Sequence, residues 1–250
     1  MKKMLFYVLA VAGSAAIVTG CSREKNIDQQ MSAAFAQAKQ GKWDNAAKNA
    51  AEISANAPNA PAPQLLQAIV YEKNGESDKA LDLARQCATN NPENFTCVYT
   101  FGRLSAADKM RRSEAFTILE KALRLNPGDR NTLVLLCNLG TVLNHPRLLQ
   151  YLGQLRNHRE FAASATLYYQ YGLAFSMRNE KNKALIFLRY AVKNSGSNPG
   201  FILNTARCID RFKLSNAKAV EMYRLFLQHP AKKSAAAVAE AKGRVARLSR

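Results

Sequence analysis

The sequence predicts an all-α chain assembled from a repeated helical unit, and two observations carry that expectation. Gly41, Ala46 and Pro58 recur 34 residues later as Gly75, Ala80 and Pro92, and Ala80 and Pro92 recur after 35 as Ala115 and Pro127. The series runs on through Ala184 and Ala219, while Gly102, Cys137 and Gly172 follow one another at steps of 35. A period of this length marks a supersecondary unit that stacks on its own copies. Between the breakers, apolar residues keep a three-and-four spacing, as in Ile118, Leu119, Ala122, Leu123 and Leu125, and no segment reads as a strand.

Residues 1–20 come first and stand apart. Lys2 and Lys3 precede a charge-free run from Leu5 to Gly20 that is short for a membrane-crossing helix and is expected to be a targeting segment. It ends in Val18-Thr19-Gly20-Cys21, two small residues before a thiol and an aliphatic residue three before it. This resembles the lipobox of bacterial lipoproteins. The resemblance implies cleavage before Cys21, acylation there and a short tether over residues 21–26. Ser22 stands where many inner-membrane lipoproteins have Asp, so the implied address is the periplasmic face of the outer membrane.

The repeats then fall at residues 27–60, 61–94, 96–129, 130–164, 165–198 and 200–233, with a capping helix at 234–250. Gln40-Gly41-Lys42-Trp43 and Asn74-Gly75-Glu76-Ser77 fill a turn inside the unit, and Asn90-Asn91-Pro92 and Leu125-Asn126-Pro127-Gly128 end it by removing an amide donor. These features resemble the tetratricopeptide repeat. That resemblance implies a right-handed superhelical array of antiparallel helix pairs, in which Gly, Ala or Cys stands wherever two helices approach closely. The fourth unit is degenerate, because Leu149 takes the alanine slot and His145-Pro146 replaces the usual turn, so its helix pair should splay or change length. Arg244 and Arg247 give the last helix the polar outer face that an end unit requires.

Charge is distributed unevenly. The net charge is +18, with Lys and Arg against Asp and Glu at 8 to 9 over residues 21–95 but 11 to 3 over residues 207–250. A basic surface attracts anionic lipids, acidic proteins, cell-wall polymers or nucleic acid, and an exported chain is not expected to meet nucleic acid.

Catalysis finds no constellation in the sequence. His145, His158 and His229 are scattered, no phosphate-cradling glycine loop or G-x-S-x-G occurs, and no cysteine spacing suits zinc. Neither cofactor nor metal is expected. Cys87 and Cys97 flank one turn between units and are the candidate disulfide, Cys137 fills a small-residue slot, and Cys208 reads as buried and unpaired. Tyr168, Tyr171 and Phe175 share one helical face and read as packing between helices.

The resemblance places the concave surface on the first helix of each unit. The corresponding residues are Phe35, Leu65, Ile69, Leu104, Val134, Asn138, Tyr169, Leu173, Phe201, Asn204 and Arg211, an apolar groove with a few amides. Met31, Phe35 and Leu65 occupy the places where carboxylate-clamp relatives use Lys and Asn, so capture of a C-terminal carboxylate is not expected. The expected function is a non-catalytic lipoprotein adaptor that binds a partner protein in the periplasm or outer membrane. Six units behind a lipobox resemble the pilotin-type lipoproteins of type IV pili, which help to place an outer-membrane secretin. The alternative is binding of a cell-wall or other anionic polymer through the basic C-terminal half.

Overall fold

The computed structural model describes residues 22–57 and 60–249, with side chains from Gln29 onward. Cys21 and the leader lie outside the described residues. Those described form thirteen α-helices and one short 3-10 turn, with no strand among them. The chain divides into two compact units, Met1–Leu135 and Leu136–Arg250.

The first unit holds α1 (Ser22–Lys39), α2 (Trp43–Asn56), α3 (Pro61–Lys73), α4 (Ser77–Asn90), α5 (Phe95–Ala107) and α6 (Arg112–Leu125), and the start of α7 (Arg130–Leu143). Helix α1 begins at Ser22, inside the stretch expected to be a tether. Residues 22–26 contain neither Gly nor Pro, so nothing in their composition stops the helix from running back to Ser22. Phe35, Ala46, Ala50, Ile53, Leu66 and Ile69 form one buried cluster, and Leu65, Cys87 and Cys97 another. Glu72 of α3 and Arg103 of α5 make a two-pronged ion pair, both contacts 2.7 Å. That fork geometry is the one in which a carboxylate holds a guanidinium best.

The second unit completes α7 and adds α8 (Leu148–Arg156), α9 (Ala165–Met177), α10 (Lys181–Asn194), α11 (Pro199–Arg211), α12 (Asn216–Gln228) and α13 (Ala235–Leu248). Helix α8 has 9 residues where α10 has 14, so the degenerate fourth repeat is shortened in its second helix. Leu188, Ile202, Ala206, Ile209 and Tyr223 lie in the core, against which Ala237, Val245 and Leu248 of α13 pack. Arg244 and Arg247 of α13 keep partly exposed side chains, yet both reach back to the Asp210 carboxylate of α11 at 3.1 and 2.8 Å. The end helix is therefore tied to its neighbour by charge as well as by its apolar face.

One backbone device joins the two helices of a pair. Gly41, Gly75, Asn144, Asn179 and Lys213 all have positive φ, and the next amide donates to a carbonyl five residues back. Lys42 N–H meets the Gln37 carbonyl oxygen at 2.9 Å, Glu76 that of Tyr71 at 2.8 Å, and Glu180 that of Phe175 at 2.9 Å. This is the left-handed cap that satisfies the orphan carbonyls of a helix end and reverses the chain. The α5–α6 connection departs from it. There Asp108 caps a 3-10 turn, its Oδ1 accepting from the Met110 amide at 2.9 Å, and this irregular turn accounts for a local period of 35 instead of 34.

The close-approach slots are tight. A Cβ on Gly102 would lie 2.9 Å from Cγ of Leu119, and one on Gly172 would lie 2.7 Å from both Cγ and Cδ2 of Leu188. Cys137, in the same register slot, is fully buried.

Candidate protein-binding surface

The first-helix residues separate into two groups. Phe35, Leu65 and Ile69 are closed off: Phe35 has no exposed surface and the other two under 5%, so they belong to the core and not to an open groove. Phe35 and Ile69 sit in the cluster with Ile53 and Leu66, and Leu65 sits against Cys87 and Cys97. Burial here follows from packing on two sides of one helix, where groove and core positions carry the same apolar residue types. Leu104 and Val134, also in the first unit, are half-buried.

In the second unit the surface stays open. Tyr169 and Leu173 of α9 and Phe201 of α11 are half-buried, while Asn138, Asn204 and Arg211 are exposed. The rings of Tyr169 and Phe201 meet edge to face, centroids 6.3 Å apart. The Tyr169 hydroxyl donates to the Asn204 backbone carbonyl at 3.4 Å, and Gln170 Nε2 donates to Asn138 Oδ1 at 2.8 Å. Side chains from α7, α9 and α11 are thus brought together within this unit. Burial pushes the Tyr169 phenol up to about 12, outweighing the opposing pull of Arg207 and Arg211. The ring therefore stays neutral and its hydroxyl remains a donor. Arg211 lies over the Phe212 ring, 5.3 Å from its centre.

Two contributors escape a reading by first-helix position. Gln170 is buried and holds Asn138, and Arg207 is exposed and binds Glu240 of α13 at 2.5 and 2.9 Å. The signal for Arg207 is in the sequence, since Glu240 lies 33 residues away, close to one repeat. Tyr171 and Phe175 stack on Phe187 of α10, the Tyr171–Phe187 centroids 4.9 Å apart, and Tyr168 lies tilted against the same ring.

Among the described residues no cysteine is an exposed nucleophile. Cys87 and Cys97 are joined in a disulfide across the α4–α5 turn, with Cα atoms 5.5 Å apart. Cys137 and Cys208 are free and buried, and burial pushes their thiols up to about 12 and about 11, far from the thiolate that a nucleophile needs. Among the described residues no group of three or more His, Cys, Asp or Glu is placed to hold a metal ion, and no helix is long and apolar enough to cross a membrane.

Comparison with known proteins bears on the fold. The tetratricopeptide repeat family matches residues 64–94, which span α3 and α4. No curated protein matches the chain. Among solved structures, YrrB, described as a TPR protein with an unusual peptide-binding site, is 18% identical, with a TM-score of 0.63 over 79% of this chain and 99% of that one. PilF of Pseudomonas aeruginosa is 14% identical, with a TM-score of 0.62 over 89% of this chain and 99% of that one. The MamA protein is 14% identical, with a TM-score of 0.59 over 69% and 93%. At such identities the likeness is one of fold: the chain carries a tetratricopeptide repeat at residues 64–94, and its helix pairs have the fold of tetratricopeptide-repeat proteins.

Proposed function

We propose that the chain is a non-catalytic adaptor, lipid-anchored through Cys21 at the periplasmic face of the outer membrane, that binds a partner protein through the first-helix surface of its second unit. The reading rests on Tyr169, Leu173 and Phe201, large apolar side chains left half-covered beside the exposed amides of Asn138 and Asn204. Apolar anchors gain on leaving water, and amides beside them can pair with a peptide backbone, the division of labour of peptide-binding grooves. YrrB, of similar fold, is described as having a peptide-binding site. We place its service in the assembly of an outer-membrane or pilus machine, on the resemblance of repeat units behind a lipobox cysteine to pilotin-type lipoproteins.

Photocrosslinking in cells tests this. A photoreactive residue at Phe201 or Leu173 is expected to trap one discrete protein that the same residue at Lys109 does not trap. Identical products from all three positions would refute a specific surface. Metabolic labelling with a fatty acid tests the anchor, and equal labelling of wild type and Cys21→Ala would remove Cys21 from it.

One observation supports a second reading, binding of an anionic polymer. All three carboxylates of residues 207–250 already pair, Asp210 with Arg244 and Arg247, Glu221 with Lys218 and Glu240 with Arg207, so the other cations there are a true surplus. Binding by that surplus would weaken steeply with salt, whereas docking on Tyr169 and Phe201 would not.

A further inference from the structure

A cavity of about 440 Å³ opens between α10 and α12 with α11 beneath it, and it shares no lining residue with the surface formed by Tyr169, Phe201 and Asn204. Its floor is Leu188, Thr205 and Ile209, all buried, and its sides are Leu185, Val192 and Met222, half-buried. No aromatic ring lines it, so a planar ligand would find nothing to stack on. Apart from the Thr205 hydroxyl, the buried and half-buried lining offers no polar side chain, which leaves a sugar or nucleotide largely unmatched.

Charge gathers at the rim. Arg189 and Lys193 stand four apart on α10, both exposed, and neither forms an ion pair among the described residues. Like charges at this spacing repel, and an anion between them would relieve the repulsion. On the opposite wall Lys218 is already held by Glu221 at 2.7 Å. The volume lies toward the lower end of the roughly 300–1,000 Å³ usual for small-molecule sites, room for one narrow chain rather than two.

We propose that this cavity binds a free fatty acid, its single alkyl chain on the Leu188–Ile209 floor and its carboxylate between Arg189 and Lys193. The aliphatic floor takes the chain out of water, and the two cations select the sign of the head. This site is independent of the partner surface and of the anchor at Cys21.

The test is photoaffinity labelling of the full chain with a diazirine-bearing dodecanoate, the adducts mapped by mass spectrometry. Adducts are expected on α10 and α12 around Leu185, Val192 and Met222. Reversing Arg189→Glu and Lys193→Glu together should lower that labelling about tenfold or more, the scale of a lost charge-assisted contact, with helical content by circular dichroism unchanged. The matching alcohol should label comparably less. Adducts spread over exposed apolar residues such as Met110 and Val142 would overturn the proposal, as would equal labelling by the alcohol. Competition by an acidic peptide or by anionic phospholipid vesicles, but not by unlabelled dodecanoate, would also overturn it and give the cavity to that competitor.

Discussion

Adding one methyl group at Gly172 should destabilise the second unit, whereas the same change at Gly243 should stabilise it. Both glycines lie inside helices, α9 and α13, so in each case alanine gains about 1 kcal/mol of helix propensity. At Gly243 nothing lies within 4 Å of the new Cβ, and the gain stands alone. At Gly172 the Cβ would sit 2.7 Å from two side-chain carbons of Leu188 and 3.3 Å from its backbone nitrogen. Leu188 has no exposed surface and packs in the core around Ile202 and Tyr223, and because its backbone nitrogen in α10 is also in the close contact, turning its side chain toward the adjacent cavity does not by itself clear the new Cβ. Overpacking of this kind costs about 1 to 3 kcal/mol, which offsets the propensity gain and leaves Gly172→Ala about 1 kcal/mol less stable than wild type. Each kcal/mol moves Tm by about 2 to 4 °C in a chain of this size. Urea and thermal unfolding followed by circular dichroism should show the two variants moving in opposite directions. A stabilised Gly172→Ala would refute the closure of this slot by Leu188.

The left-handed caps give a second pair of opposite signs: Lys213→Gly should stabilise, and Gly75→Ala destabilise, each by about 1 kcal/mol in urea unfolding, because a side chain at positive φ is strained. Loss of the Cys87–Cys97 disulfide, by reductant or by Cys97→Ser, should lower stability by about 3 kcal/mol, the loop-closure entropy for ten residues, and an unchanged urea midpoint would contradict it. Alkali should unfold the chain through its tyrosines. Burial pushes Tyr99 and Tyr169 up to about 12, whereas a free phenol titrates near 10. Their contribution is thus full below about pH 10 and lost between about 10 and 12. Tyrosinate absorbance and helix ellipticity should change together in that range, and ionisation of all tyrosines near pH 10 with the helices intact would refute it.

The period of 34 to 35 residues made the helix pairs legible, because a repeat constrains every unit by the same packing. Its turns were less so. Gly41 and Gly75 announce a left-handed cap, but Asn144, Asn179 and Lys213 do the same work with residues common in any loop, and only their spacing of 34 or 35 from one another marks them. The start of the first helix was hidden for a different reason, since residues 22–26, a polar run without Gly or Pro, serve equally as tether or helix until their neighbours are known.

The working surface was the hardest to read, for a physical reason that the charged residues make plain. Glu72 pairs with Arg103 31 residues away, Arg207 with Glu240 33 away and Asp210 with Arg247 37 away, so partners about one period apart become neighbours on stacked helices. Opposite charges at that separation name each other. Apolar residues carry no such sign: Ile69 and Leu173 occupy the same first-helix position of their units, yet one is sealed in the cluster with Phe35 and Leu66 while the other is half-open. What separates them is how completely adjacent helices cover that face. Coverage depends on crossing geometry and on local breaks such as the shortened α8, which lie outside the reach of a single unit's sequence. In the second unit Tyr169 and Phe201 meet edge to face and stay half-buried, with Asn138 and Asn204 exposed on first helices of the same unit. A repeat therefore fixes where its helices go more tightly than which of their apolar residues remain available to a partner.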